Sequence, residues 1–251
     1  MSRRIVVEAC VDSVESALAA QEGGAHRVEL CSDLLEGGLT PSFGMLQVAR
    51  ASLRIGIMAM IRPRGGDFLY SDHEFRAMLH DVALAKDARA QGVVLGLLAP
   101  DGSVDAARTR ELIDRARPLQ VTFHRAFDMT NDPFDALETL VALGVDRVLT
   151  SGQEASAVEG LDGIAELVRR AGDRIVVMPG GGISARNIAR IAAVRGIREI
   201  HFGGGVPVES GMAFRNPRVF MGGMLRPPEY AREVQRPEIV AEIVRAAGEA
   251  P

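Results

Sequence analysis

Apolar positions along the chain alternate between two patterns. Short, nearly continuous runs of apolar and β-branched residues fall at 5–10 (IVVEAC), 27–31 (RVELC), 55–62 (IGIMAMIR), 92–98 (GVVLGLL), 120–127 (QVTFHRAF), 146–151 (DRVLTS), 174–179 (RIVVMP) and 199–203 (EIHFG). Runs of this length without polar alternation suit parallel strands covered on both faces. Between and after them lie segments of helical period near 13–23, 42–53, 72–90, 105–117, 133–143, 155–171, 184–195 and 236–248. Start signals mark several of these. Ser71 with Glu74 forms a capping box, Asp132-Pro133 and Thr40-Pro41 place an N-cap before a proline, and Ser184 is read as the cap after a glycine run. Eight strand–helix units in 251 residues predict an α/β fold, a (β/α)8 TIM-like barrel forming a single domain over 1–251. A doubly wound sheet would carry a GxGxxG turn after its first strand, and none is present. The stretch 203–235, rich in Gly, Pro and Met, reads as a long irregular segment after strand eight, a lid or an interface element.

A barrel makes the strand ends comparable. The first strand ends Glu8-Ala-Cys10 and the second Glu29-Leu-Cys31. Residues two apart share a face, so two carboxylates and two thiols are expected side by side at the carboxyl-terminal mouth. The third strand adds Arg62, the fifth His124 with Asp128 beyond it, and the eighth His201. A carboxylate inside a barrel requires a partner, and Glu8 or Glu29 against Arg62 is the expected pair. His201 by itself reads as a core histidine. Arg64 follows Arg62 in the loop IRPRGGDFLYSDHEF at 61–75. This cluster suits an enzyme acting on a small anionic metabolite, phosphorylated substrates included, with Glu8 or Glu29 and His124 as acid and base and Arg62 or Arg64 orienting the ligand.

Glycine supplies a second candidate. Pro179-Gly-Gly-Gly-Ile-Ser184 and His201-Phe-Gly-Gly-Gly205 follow the last two strands. Backbone N–H groups at Gly180, Gly181, Gly182, Gly203 and Gly204, with the Ser151 hydroxyl nearby, are expected to bind a phosphate or another anion.

Composition narrows the classes. A net charge of −4 gives no reason to expect nucleic acid or an anionic membrane surface as a partner. No run approaches 18 apolar residues, and MSRR leads directly into a strand-like run, so neither a transmembrane helix nor a signal peptide is expected and the location reads as cytoplasmic. The two cysteines are then free thiols. The single lysine, Lys86, lies inside a helical pattern, which argues against Schiff-base chemistry.

Several long runs carry a family resemblance. Glu-x-Cys at 8–10, RVELC at 27–31, EGGLTPS at 36–42, IRPRGGDF at 61–68, TFHRAFD at 122–128, VLTSG at 148–152 and GMAFRN at 211–216 resemble the CutC family, the copper homeostasis proteins. The resemblance implies a TIM-like barrel, a cytoplasmic protein, a homodimer or higher homo-oligomer, and copper handled through cysteine, here Cys10 and Cys31. Gly203 departs from the serine the family more often has there. Read from the residues alone, the soft donors are few: Cys10, Cys31 and Met58 or Met60, with no CxxC, no MxxM and no His-rich tract. Weak copper(I) binding is the corresponding expectation.

Overall fold

A computed structural model describes residues 5–216, 218 and 230–248. The first four residues, on which the signal-peptide reading partly rests, and most of the 217–229 stretch lie outside the described residues. Strands β1 (Val6–Val11), β2 (Arg27–Leu30), β3 (Gly56–Met60), β4 (Gly92–Leu95), β5 (Gln120–Phe123), β6 (Arg147–Thr150), β7 (Val176–Pro179) and β8 (Glu199–Phe202) form one parallel sheet. Its order runs β7-β6-β5-β4-β3-β2-β1-β8. β7 and β8 also lie against each other, which brings the ring close to closure. Helices α1 (Val14–Glu22), α2 (Phe43–Ser52), α3 (Asp72–Asp87), α4 (Ala106–Ala116), α5 (Pro133–Leu143), α6 (Leu161–Ala171), α7 (Ile188–Ala192) and α8 (Pro237–Gly248) alternate with the strands. The predicted (β/α)8 barrel is the observed fold.

The helix starts follow from local chemistry, with two corrections. Ser71 and Glu74 form the expected capping box of α3, and Asp132 accepts from the N–H groups of Phe134 and Asp135 ahead of α5. Thr40 does not cap α2. Ser42 does, accepting from Met45 N, while Thr40 Oγ1 accepts from Arg62 N and pins the end of β3. Ser184 does not cap α7 either. Its N–H donates to Asn187 Oδ1, and the helix begins only at Ile188. Leu46, Leu112, Leu137 and Ile164 turn the helix faces toward the strands. Each such side chain contributes about 1.5–3 kcal/mol by leaving water.

The segment after β8 is more regular than its composition suggests. Strands β9 (Val206–Glu209) and β10 (Ala231–Val234) pair antiparallel, and Gln235 N donates to Ser16 Oγ on α1. The hairpin base is thereby tied to the barrel beside β1.

Register fixes what faces the lumen. Glu8 stands beside Arg27 on one side and His201 on the other, and Cys10 stands beside Glu29. Below them the Arg27 guanidinium bonds both Glu8 and Glu199, and Arg147 Nε donates to Glu199 Oε2 at 3.0 Å. A belt of alternating charge thus floors the mouth, and each buried charge in it has an opposite partner.

Candidate metal centre

At the carboxyl end of β1, β2 and β8, five side chains converge. Cys10 Sγ lies 3.9 Å from Cys31 Sγ and 3.2 Å from Glu29 Oε2. Cys31 Sγ lies 3.5 Å from the same carboxylate oxygen. His201 Nδ1 is 2.8 Å from Glu8 Oε1, and its Nε2 is 3.9 Å from Glu29 Oε2. One ligand atom each from Cys10, Glu29 and Cys31 lies within 4.8 Å of the others, as do those of Glu8, Glu29 and His201. Glu29 Oε1 is buried without a hydrogen bond. Cys10 is only half-buried and lines a cavity of about 430 Å3, walled also by Leu34, Leu35, Gly204 and Gln235, that leads to the cluster from outside.

The electrostatics of the cluster are polarised. Burial would raise the Glu8 carboxyl, but the Arg27 charge and the His201 hydrogen bond bring it down to about 2. Burial pushes Glu29 well above the carboxylate range, and negative charge on Cys10 pushes it the same way. The hydrogen bond from Cys31 holds Cys10 well below an ordinary thiol; donating that bond, together with burial, holds Cys31 well above one. Burial alone would lower His201, yet Glu29, Cys10 and Glu8 together hold it well above an ordinary imidazole. One thiol is therefore predisposed to be a thiolate, beside a carboxyl that favours its acid form.

The other predicted residues are elsewhere. Arg62 pairs with neither glutamate, contrary to expectation. Its guanidinium donates to the backbone carbonyls of Glu36, Gly38 and Gly66, because the turn at Gly37 and Gly38 folds between it and Cys31. Arg64 is committed to its own loop, bonding Glu74, Asp67 and the carbonyls of Gly65 and Leu69. His124 accepts from Ala126 N through Nδ1 and stacks beside Phe68, on the β5 side of the barrel. Asp128 accepts from Thr150 Oγ1, Ser151 N, Gln153 N and Arg125 Nε, so it braces the β6 loop. Ser151 is consumed in that same network.

The glycine loops also make contacts of their own. Gly180 N donates to Thr150 O, and a side chain at Gly180 would press on Leu149 and His201. The carbonyl of Gly181 accepts from Ala157 N and that of Gly182 from Asn187 Nδ2. No helix starts at Ser184 to add its dipole. Gly203 borders Cys10, and Gly204 is exposed at the cavity.

Sequence reasoning took one participant, His201, for a core histidine and missed another, Arg27. His201 sits at the centre of the cluster, and its position opposite Glu8 across the β1–β8 seam is the signal that closure of the ring would have exposed. Arg27, two residues before Glu29 and on the same face, is the cation that holds Glu8.

Comparison with known proteins agrees with this architecture. The chain matches the CutC family over residues 5–206, which leaves the GMAFRN run at 211–216 beyond the matched span. A mouse protein described as a copper homeostasis protein cutC homolog is 54% identical over 229 residues, 91% of this chain and 84% of its own length. A family protein CutC of Mesorhizobium japonicum is 48% identical over 246 residues, 98% of this chain and 95% of its own. The crystal structure of CutC from Streptococcus agalactiae superposes with a TM-score of 0.76 at 34% identity, covering 79% of this chain and 98% of that one. A thiamine phosphate pyrophosphorylase of Pyrococcus furiosus, at 16% identity and a TM-score of 0.60, shares the fold.

Proposed function

The chain belongs to the CutC family, and from that premise we propose that it binds copper(I) between Cys10 and Cys31, with His201 as a third donor. The observation that carries the reading is the Sγ–Sγ separation of 3.9 Å. Metal–sulfur bonds near 2.3 Å set two sulfurs of one coordination sphere about 3.8 Å apart at a tetrahedral angle and about 4.6 Å apart when collinear. The two thiols therefore meet the requirement with little rearrangement.

The surroundings support the same reading. Glu8 takes the Nδ1 side of His201, so a metal that displaces the Nε2 proton would complete a carboxylate–histidine–metal relay. Thiolate sulfur favours copper(I) over hard cations. The same donor set could also hold zinc, with Glu29 as a further ligand. Two free thiols this close suit a reducing compartment, which supports a cytoplasmic location. Among the described residues no helix is long and apolar enough to cross a membrane.

Acid–base catalysis by a glutamate with His124 has less support. His124 Nδ1 is occupied by Ala126 N–H, and no hydrogen bond links the ring to Glu8 or Glu29. A competition titration with a copper(I) chelator under reducing conditions tests the proposal. One copper(I) per chain in the wild type, lost in the Cys10→Ser/Cys31→Ser variant, is expected; equal uptake by both would overturn the assignment.

A further inference from the structure

A second group of buried polar side chains lies across the mouth from the thiols. Arg62 is 7% exposed, and its guanidinium donates to three backbone carbonyls and approaches the Tyr70 hydroxyl. No carboxylate pairs with it among the described residues, so a full positive charge is buried without an anion, an arrangement folding tolerates poorly. Its Nε–H has no hydrogen-bond partner. The same holds for His124 Nε2, which must carry the ring proton because Nδ1 accepts from Ala126 N. The buried Tyr70 hydroxyl, beside Arg62, is the third such group.

One ring covers two of these donors. Phe68 lies 5.2 Å from Arg62 Cζ and 5.0 Å from the His124 ring centre. Its carbonyl is anchored by Leu98 N, but the ring belongs to a loop whose neighbours Asp67 and Leu69 are exposed. Gly96, just past β4, leaves room for the His124 ring. A Cβ there would come within 2.5 Å of His124 Cε1 and Nδ1.

We propose that Arg62 and His124 form the receptor for a monocarboxylate, with the Phe68 ring holding its place until the ligand enters. The donor count calls for an oxyanion: two buried N–H donors, Arg62 Nε and His124 Nε2, have no acceptor. The charge sets its valence. Burial, with the Arg62 charge next, brings His124 down to about 3, so the imidazole is neutral and Arg62 alone supplies one positive charge. A phosphate dianion would leave one negative charge uncompensated in a dry site. A carboxylate oxygen can take the free Arg62 Nε–H in a charge-assisted bond once the Phe68 ring gives way.

Calorimetric titration of the full chain with benzoate, benzamide and inorganic phosphate tests this. Benzoate should bind the wild type, at least tenfold tighter to Phe68→Ala, and at least tenfold more weakly to Arg62→Gln. Benzamide and phosphate should bind at least tenfold more weakly than benzoate. Should Arg62→Gln fail to fold, His124→Asn keeps an acceptor for Ala126 N, removes the Nε2 donor, and should show the same tenfold loss. The proposal is overturned if neither wild type nor Phe68→Ala binds benzoate, if benzamide or phosphate binds as well, or if the folded donor variant binds undiminished.

Discussion

Glu8 Oε1 stands 2.8 Å from His201 Nδ1, and this one contact sets which imidazole nitrogen faces the thiols. The pair spans the seam between β1 and β8, where the ends of the chain's strand sequence meet. Arg27 holds the other Glu8 oxygen, so the carboxylate is paired on both sides.

Glu8→Gln should therefore act twice. It removes a buried charge between Arg27 and His201, and a loss of about 3 kcal/mol in urea denaturation at pH 7 is expected, since the glutamine oxygen still accepts one bond. It also loosens the imidazole orientation, so copper(I) affinity should fall about 10–100-fold. Because the folded Glu8 pKa is depressed to about 2, its stabilising effect is present above the unfolded value and fades as pH drops through 4.5 toward 2. A variant with wild-type stability at pH 7 would count against the pairing.

Gly38 gives a second test. Its φ is +90°, and a Cβ would sit 3.0 Å from Cys31 Sγ. Gly38→Ala should strain the turn and push the thiol, lowering copper(I) affinity about tenfold, a free-energy loss of about 1.4 kcal/mol. Gly144→Ala is the control, since Gly144 has a φ of +74° with nothing within 4 Å of its Cβ. Equal affinity in both variants would show that Cys31 does not need its present position.

His124 predicts a pH effect. Its folded pKa, lowered to about 3 by burial and by Arg62, lies below that of the unfolded chain near 6.5. The unfolded state then binds the extra proton between those values, so stability falls as pH drops from 6.5 toward 3, by up to about 1.4 kcal/mol per pH unit. Denaturant midpoints between pH 4 and 7 should fall less steeply with acid in His124→Asn than in the wild type. Parallel slopes would contradict the assigned burial.

The barrel was legible because its strands are buried on both faces and its helices carry strong starts, as at Ser71 and Asp132. Glu8, Cys10, Glu29 and Cys31 were legible as a group because parallel pairing of the first two strands puts alternate residues side by side. Arg62 was misassigned because its partners are carbonyls of the 34–38 turn, and backbone partners leave no trace in residue type. His201 was undervalued because its neighbour Glu8 lies 193 residues away, visible only once the ring closes. At Gly180 the sequence did not show that glycine makes room for Leu149 and His201, because glycine suits close packing as readily as an anion site.

X-ray absorption at the copper edge of the copper(I)-loaded chain is the most direct test of the metal centre. Two sulfur scatterers and one imidazole nitrogen are predicted in the wild type, with the imidazole contribution lost in His201→Gln. A first shell of oxygen and nitrogen alone, or one unchanged by Cys10→Ser/Cys31→Ser, would contradict a copper site built on Cys10, Cys31 and His201.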